Sequence, residues 1–354
     1  MKIQLSHTYE DIIRIENLLE AWKEFVKGKR RKRDVQEFSF CLMDNILALH
    51  DDLQSRAYCH GGYEAFAIHD PKPRAIHKAS VRDRLLHHAI CRVLYPFFDR
   101  TFIADSYSCR IGKGTHKALN RFRTFGHIVS KNNTRTCWVL KCDIKKFFAN
   151  IDHDILLNIL QQYIPNDDVL RLLGEVIRSF HTTASGKGLP LGNLTSQLLV
   201  NIYMNEFDQF AKHTLKVKYY IRYADDFVVF SEDRVWLENL IPEIRTYLEN
   251  QLKLNLHPDK VFIKTLASGV DFVGWIHFSD HRVLRTSTKR RMMKRMALPR
   301  IRQTVHSYFG LLKLSKIKLI QEAIDKKMEI HITYLKAKDE KTRRTVKPYR
   351  IKNM

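Results

Sequence analysis

Three aspartates stand at the ends of apolar runs in this sequence. Asp225 and Asp226 lie inside KYYIRYADDFVVF, residues 218–230, which is typical of two strands around a tight turn. Asp143 follows another short apolar run, CWVLKC, at residues 137–142. If these strands are neighbours in one sheet, the three carboxylates converge at its edge. Carboxylate oxygens suit Mg²⁺, and two such ions can promote an in-line displacement at phosphorus.

A purely structural interpretation of the Asp-Asp pair is also available, because Asp is common in turns. The overall charge favours the catalytic interpretation. The 354-residue chain carries 61 Lys and Arg against 38 Asp and Glu, a formal net charge of +23. Such an excess fits a polyanionic partner whose counterions are released on binding. A generally basic surface, or association with ribosomes, would fit it as well.

The elements that must position these carboxylates follow from hydrophobic periodicity. From residue 137 to 278 the order of predicted elements is that of an antiparallel sheet backed by helices. Upstream, apolar residues at spacings of three and four predict one helical face, formed by Ile12, Ile15, Leu19, Trp22 and Val26. We also predict a helix over 38–54, a hairpin over 63–78 with PKPR at its turn, a helix over 80–98, and basic helices beyond 279.

Other features bound the compartment and exclude some classes of site. No C-x-x-C pair occurs, so a zinc knuckle is not expected, and the scattered cysteines are predicted to be reduced thiols: Cys41, Cys59, Cys91, Cys109, Cys137 and Cys142. The first residues lack the apolar region of a secretion signal, and no apolar run is long enough to span a membrane. We therefore expect a cytoplasmic protein that makes no membrane contact. Two adjacent histidines are predicted on a helix, His87 on its surface and His88 in the core.

Five motifs, in this order along the chain, resemble those of reverse transcriptases. They are LKCDIKKFF (140–148), GLPLGNLTSQLLVNIYMNEFD (188–208), YADD (223–226), LNLHPDK (254–260) and VDFVGW (270–275). The resemblance implies an α+β right-hand polymerase fold with fingers, an antiparallel-sheet palm backed by helices, and a helical thumb. Its expected parts are an N-terminal helical extension (1–60), fingers (61–136), a palm (137–278, with a fingers portion near 165–195), and a basic helical thumb with a C-terminal tail (279–354).

The same resemblance assigns roles to the aspartates and to one aromatic residue. Two Mg²⁺ ions would be held by Asp143 and Asp225, with Asp226 as a further ligand or support. Phe148 matches the aromatic residue that packs under the sugar and leaves no room for a 2′-hydroxyl, so deoxynucleotides would be selected by exclusion. Its alternative is an ordinary core phenylalanine.

Basic residues of the fingers complete the expected nucleotide site. Lys72 and Arg74 match the residues that grip the triphosphate, a task that suits the fork of an arginine. Arg110 is expected either to contact template or nucleotide, or to brace the fingers against an acidic side chain.

The loop before the pocket helix resembles that of one subfamily. Group II intron and retron enzymes usually have Gln at the position of Leu191, and this chain also has Gln197 after Ser196. Both features resemble the reverse transcriptases of diversity-generating retroelements. That resemblance implies copying of a template-repeat RNA into cDNA with errors at adenines, through an RNA–DNA hybrid and from dNTPs. It also implies an accessory variability protein, a small basic helical pentamer, and a bacterial, archaeal or phage origin.

Two other interpretations remain open at this level. One is a group II intron-like or abortive-infection reverse transcriptase used in phage defence. The other is an RNA-binding scaffold that keeps the fold without catalysis.

Overall fold

The structure is a computed structural model that describes residues 2–69, 73–182, 184–296, 330–335 and 341–346. Side chains are described as far as Arg291. The chain divides into two compact units, Met1–Val273 and Gly274–Met354.

The first unit begins with four helices, α1 (Tyr9–Ile13), α2 (Ile15–Phe25), α3 (Arg33–Phe40) and α4 (Leu42–Gln54). The predicted apolar face is present, since Ile12 and Trp22 are buried in the main core. Two helices share this face, because Arg14 has a ψ of 142° and separates α1 from α2. The helix predicted over 38–54 is likewise divided at Cys41, where φ is −113° and ψ is 48°.

A hairpin and two helices follow. β1 (Tyr63–Ile68) and β2 (Arg74–Ala79) pair antiparallel in the predicted region, with Ile68 opposite Arg74. The residues between them, 70–72, lie outside the described part of the chain. Next come α5 (Val81–Asp99) and α6 (Thr115–Val129). The helix predicted over 80–98 is confirmed by α5, which is capped by Ser80.

The rest of the first unit holds the catalytic motifs. Its elements are β3 (Trp138–Asp143), α7 (His153–Gln161), α8 (Asp167–Arg178), α9 (Leu194–Gln209), β4 (Tyr220–Tyr223), β5 (Asp226–Ser231), α10 (Arg234–Leu252), β6 (Phe262–Thr265) and β7 (Val270–Phe272). Four strands form one antiparallel sheet in the order β4-β5-β3-β6. The α+β fold predicted from the sequence is therefore confirmed.

Both faces of this sheet are buried, because successive side chains of a strand point to opposite faces. Leu140 and Phe227 face a core shared with α9 and α10. Val139 and Val228 face a second cluster that contains Phe122 of α6. Strands packed on two sides form a rigid support for the residues at their ends.

The second unit contains β8 (Trp275–His277), β9 (Arg282–Leu284), α11 (Thr286–Met296), β10 (Ile330–Leu335) and β11 (Lys341–Val346). The last two strands pair as an antiparallel hairpin, with Ile330 opposite Val346. The prediction of helices alone beyond residue 279 is therefore wrong for these strands. Alternation of apolar and polar residues in IHITYL is the strand signal that it overlooked. The assignment of this region as a thumb stays a prediction.

Two negative findings concern the described ranges alone. Among those residues, no helix combines the length and the apolar character needed to cross a bilayer. All six cysteines lie within them, and none forms a disulfide.

The two adjacent histidines of α5 have the opposite placement to the one predicted. His87 is 1% exposed and His88 is only partly buried. The ring of His87 lies beside that of His60, with 3.1 Å between their Nε2 atoms. Helical periodicity alone did not identify the buried residue, because His60, 27 residues earlier in the chain, packs against His87.

Loss of stability in mild acid is expected from His87. Burial lowers its pKa to about 3, whereas an exposed histidine titrates at 6.5. Its stabilising effect is therefore fully present above pH 6.5 and is lost as the pH falls below that value, at about 1.4 kcal/mol per pH unit. Thermal unfolding at a series of pH values measures this slope. His87→Gln should make the slope shallower, whereas His116→Gln, at an exposed position on α6, should not; equal slopes would contradict the prediction.

Candidate active site

Strand pairing brings the three aspartates to one edge of the sheet. Asp143 at the end of β3 lies opposite Asp226 at the start of β5. A two-residue turn joins β4 to β5, since Tyr223 pairs with Asp226 across it, and Asp225 is the second residue of that turn. The amide of Ile144 donates to the Asp225 carbonyl oxygen at 3.1 Å, which ties the turn to the end of β3.

The carboxylates are close enough to affect one another's ionisation. Burial, and after it the charge of Asp143, raises the pKa of Asp225. Burial raises the pKa of Asp226 to about 7, and the other two aspartates add to the rise. Each ionised carboxylate therefore makes ionisation of its neighbours less favourable, and a bound cation would make that ionisation more favourable.

Two of the three aspartates, Asp226 and Asp143, each contact a lysine. Lys141 Nζ lies 3.0 Å from Asp226 Oδ1 and donates to Oδ2 at 3.1 Å. Lys260 Nζ donates to Asp143 Oδ1 at 2.7 Å. The segment that carries Lys260 is held in place by the amide of His257, which donates to the Asp143 carbonyl oxygen at 2.8 Å.

The donor set at this edge fits divalent metal ions. All three side chains offer the oxygen ligands that such ions prefer. Within the described ranges, Asp225 forms no ion pair, and the more distant charges of Lys260 and Arg74 only oppose the rise in its pKa. Among the described residues, no group of three or more His, Cys, Asp or Glu side chains is arranged closely enough to hold a metal ion. Binding of metal would therefore compete with the two lysines for Asp143 and Asp226.

The predicted pocket loop is hydrogen-bonded both to the segment after Asp143 and to the β1–β2 hairpin. The amide of Leu189 donates to the carbonyl oxygen of Phe148 at 2.8 Å, and the amide of His77 in β2 donates to that of Leu191 at 3.0 Å. Gly192 has a φ of +108°, and a Cβ there would stand 2.8 Å from Ile76 Cγ2. The close approach of β2 therefore requires glycine at this position.

Phe148 and Arg74, two other residues predicted at the nucleotide, lie on segments next to the pocket loop. The ring of Phe148 is partly exposed and lies edge-on to that of Phe147, with 5.6 Å between centroids. Arg74 is exposed on β2, and its positive charge opposes the rise in the pKa of Asp225. The segments that carry Phe148 and Arg74 are thus both hydrogen-bonded to the pocket loop, and a role of either side chain at a nucleotide stays a prediction.

The structure corrects the assignment of Arg110 to nucleotide binding and supports its bracing alternative. Its side chain is only 5% exposed and forms an ion pair with Asp99 at 2.7 Å. It also donates to the carbonyl oxygens of Asp99, Ile103 and Ser106. Because these acceptors bind its N–H groups, the guanidinium of Arg110 is not presented to a phosphate.

Two further predicted residues have less defined surroundings. Lys72 lies outside the described residues. Gln197 is partly buried on α9, one turn before Asn201, whose Nδ2 donates to the Gln197 carbonyl oxygen at 3.2 Å.

Lys141 and Lys260 were not predicted as site residues. The signal for Lys141 is present in the sequence, because it stands two residues before Asp143 on a strand and therefore shares its face. Lys260 is the last residue of the LNLHPDK motif, but no local pattern indicates its contact with Asp143, 117 residues away.

Comparison with known proteins identifies two matching family models. Residues 69–277 match the model described as reverse transcriptase (RNA-dependent DNA polymerase), which covers more than half of the chain. Residues 315–353 match the model described as WYL domain, in a region of which the structure describes only β10 and β11.

Curated relatives resemble the chain at low identity. Protein YkfC of Escherichia coli is 26% identical over 255 residues, which cover 62% of this chain and 65% of that protein. The group II intron-encoded protein LtrA of Lactococcus lactis is 24% identical over 332 residues, covering 73% of this chain and 52% of that protein. The chain thus spans between about half and two thirds of the length of these relatives.

Solved structures resemble the chain more weakly. The apo telomerase from Candida tropicalis has a TM-score of 0.48 at 12% identity and covers 69% of this chain and 60% of its own. The telomerase from Candida albicans, in complex with a fragment of telomeric RNA, has a TM-score of 0.49 at 10% identity and covers 66% and 48%.

Proposed function

Because this chain belongs to the reverse transcriptase family of RNA-dependent DNA polymerases, we propose that it copies a template-repeat RNA into cDNA with errors directed to adenines, as the polymerase of a diversity-generating retroelement. The observation that carries this proposal is the position of Leu191. It occupies the pocket loop between Phe148 and the fingers hairpin, where related enzymes usually have glutamine.

The proposed nucleotide site uses residues of both palm and fingers. Asp143 and Asp225, with Asp226, would hold two Mg²⁺ ions, which supply a polarised attacking oxygen and stabilise the leaving pyrophosphate. Arg74, with Lys72, would bind the triphosphate of an incoming dNTP. The template strand and the growing RNA–DNA hybrid would neutralise part of the +23 net charge.

Leu191 would lower fidelity through the chemistry of its side chain. The backbone of the loop is fixed by hydrogen bonds to Phe148 and His77, so a loose loop is a poor explanation for errors. A glutamine at this position could donate a hydrogen bond to the nascent base pair and so favour correct geometry. Leucine makes only dispersion contacts, and the loss of one hydrogen bond is worth about 1 kcal/mol, which is several-fold in an error rate.

Leu191→Gln is therefore expected to lower misincorporation at template adenines several-fold, with little change in total synthesis. Sequencing of the cDNA made from a defined RNA template measures both quantities. Leu194→Gln is a matched control, because Leu194 is 37% exposed at the start of α9. An unchanged adenine error rate in Leu191→Gln would contradict this explanation of infidelity.

We further propose that the enzyme works with a small basic helical accessory protein that assembles as a pentamer. The family resemblance supports this partner. Co-purification of the full chain with the neighbouring gene product, with and without nuclease, tests whether the two proteins bind directly or through RNA.

A group II intron-like function is the second candidate, and the similarity to LtrA favours it. The genomic neighbourhood separates the two. A variable repeat that differs from a nearby template repeat only at adenines supports the retroelement, whereas a flanking intron or a defence cluster supports the alternative.

A further inference from the structure

We propose that Arg222 is a positioning residue, which holds the turn that carries Asp225 in its working conformation from within the core. This inference rests on the polymerase activity of the family and does not depend on the retroelement proposal. Arg222 stands on β4, and its side chain is only 1% exposed.

Every N–H group of this guanidinium has an acceptor. The Nε and one terminal nitrogen donate to the carboxylate of Asp208 at 2.8 and 2.6 Å. The remaining donors reach Asn201 Oδ1 at 3.3 Å, Ser106 Oγ at 3.1 Å and the carbonyl oxygen of Ala224 at 3.2 Å. Five donors in a fixed fork are thus fully used, which only arginine can provide.

These acceptors belong to three separate parts of the site. Asp208 and Asn201 lie on α9, the helix that follows the pocket loop. Ser106 belongs to the segment before α6, which also bonds to the backbone of Arg222 through the Tyr107 amide at 3.0 Å. Ala224 precedes Asp225 in the catalytic turn. One side chain therefore links the pocket helix, the segment before α6 and the turn.

The turn needs such support because of its backbone. Ala224 has a φ of +57°, in the left-handed region that residues other than glycine rarely adopt. A conformation of this kind persists only where its surroundings hold it. The hydrogen bond from Arg222 to the Ala224 carbonyl oxygen acts directly on this residue, so its loss would let the turn relax and move Asp225.

A role in stability alone explains less of this arrangement. A buried ion pair adds little net stability, because both charges must leave water. The ion pair with Asp208 needs only two of the five donors, and Asp208 is also stabilised by the hydroxyl of Tyr220 at 2.7 Å. The hydrogen bond from Arg222 to Ala224 is not needed for the ion pair with Asp208. It is needed if Arg222 holds the turn that carries Asp225.

Arg222→Lys tests the proposal, because it keeps the charge opposite Asp208 and removes the fork. We expect kcat for primer extension to fall about 10- to 100-fold, the range that follows from a small misplacement of a reacting group. The KM for dNTP should change less than about threefold, since Arg74 and the pocket loop are untouched. Arg84→Lys is the matched control: Arg84 pairs with Asp34 at 2.6 Å in the N-terminal helices and should lose stability without loss of kcat.

A double-mutant cycle with Ala224→Gly separates positioning from stability. Glycine adopts positive φ without strain, so Ala224→Gly should restore part of the kcat lost in Arg222→Lys while leaving its Tm unrestored. Hydrogen–deuterium exchange of the peptide that spans 222–228 gives a readout independent of activity. Exchange there should rise in Arg222→Lys and not in Arg84→Lys.

Several outcomes would overturn the proposal. They are an unchanged kcat in Arg222→Lys, independent effects of Arg222 and Ala224 in the cycle, or unchanged exchange at the turn. If Arg222→Lys does not fold, Ser106→Ala removes one acceptor only, and it must then show faster exchange at the turn and a smaller fall in kcat. An inactive wild-type chain would count against the polymerase activity, while the exchange experiment would still decide the role of Arg222.

Discussion

Asp225→Asn is expected to abolish primer extension and at the same time to make the protein more stable. An amide is a poor ligand for a hard divalent ion, and metal ions contribute several kcal/mol to stabilising the transition state of such displacements. A loss of about 4 kcal/mol lowers kcat by about three orders of magnitude. No other change in this chain is expected to have a larger effect on activity.

The expected gain in stability follows from the pKa of Asp225. Burial and the charge of Asp143 raise that pKa in the folded protein above its value in the unfolded chain. Above the pKa of the unfolded chain, Asp225 therefore ionises more easily in the unfolded state than in the folded state. The free energy of unfolding falls as the pH rises from the unfolded pKa to the folded pKa. Asparagine has the same shape and no charge, so the variant should unfold at a higher temperature than wild type near neutral pH and without metal.

Primer extension on an RNA template and thermal unfolding measure the two halves of this prediction. Asp154→Asn is the matched control, because the side chain of Asp154 is 84% exposed on α7 and its ion-pair partner is Arg178. Equal activity of Asp225→Asn and wild type would defeat the catalytic interpretation. That result would favour the interpretation of the chain as an RNA-binding scaffold without catalysis.

Phe148→Val is expected to let the enzyme use ribonucleotides. In the structure its ring is partly exposed beside the pocket loop, where it would meet the 2′-hydroxyl of a bound ribonucleotide. Steric overlap in a packed site costs about 1–3 kcal/mol, which corresponds to a roughly 5- to 160-fold preference for dNTP over rNTP. The smaller side chain should remove most of that preference through a lower KM for rNTP.

The ratio of kcat/KM for dTTP and UTP on a poly(A) template measures this preference. Phe147→Leu is the control, since Phe147 is 3% exposed in the core and its ring does not line the pocket surface. It should lower stability and leave the ratio unchanged. A ratio unaltered by Phe148→Val would mean that Phe148 is an ordinary core residue and that another group excludes the 2′-hydroxyl.

Local patterns in the sequence were sufficient for much of the site. The apolar runs around Asp143 and Asp225 predicted strands with carboxylates at their ends, and pairing in the observed register brings those ends together. Alternation along β3 also contained the position of Lys141, although the sequence analysis did not use it. Such features depend on neighbours within a few residues, and the period of a strand or helix makes them visible in one dimension.

Other features were decided by contacts between distant segments. Arg110 had two open roles, and only the position of Asp99 beside it selected bracing. The buried histidine of α5 proved to be His87, against which the ring of His60 packs from a separate segment.

The sequence by itself indicated the family of this protein and placed three carboxylates at the ends of strands, while the roles of Phe148 and Arg74 at a nucleotide stay predictions. Only the tertiary structure decided how these groups are held, through Lys260 on Asp143 and the five acceptors around Arg222. The physical reason is that side-chain type and strand period are local properties. The partner of a buried charge is instead set by the packing of the whole core, which places residues more than 100 positions apart within hydrogen-bonding distance.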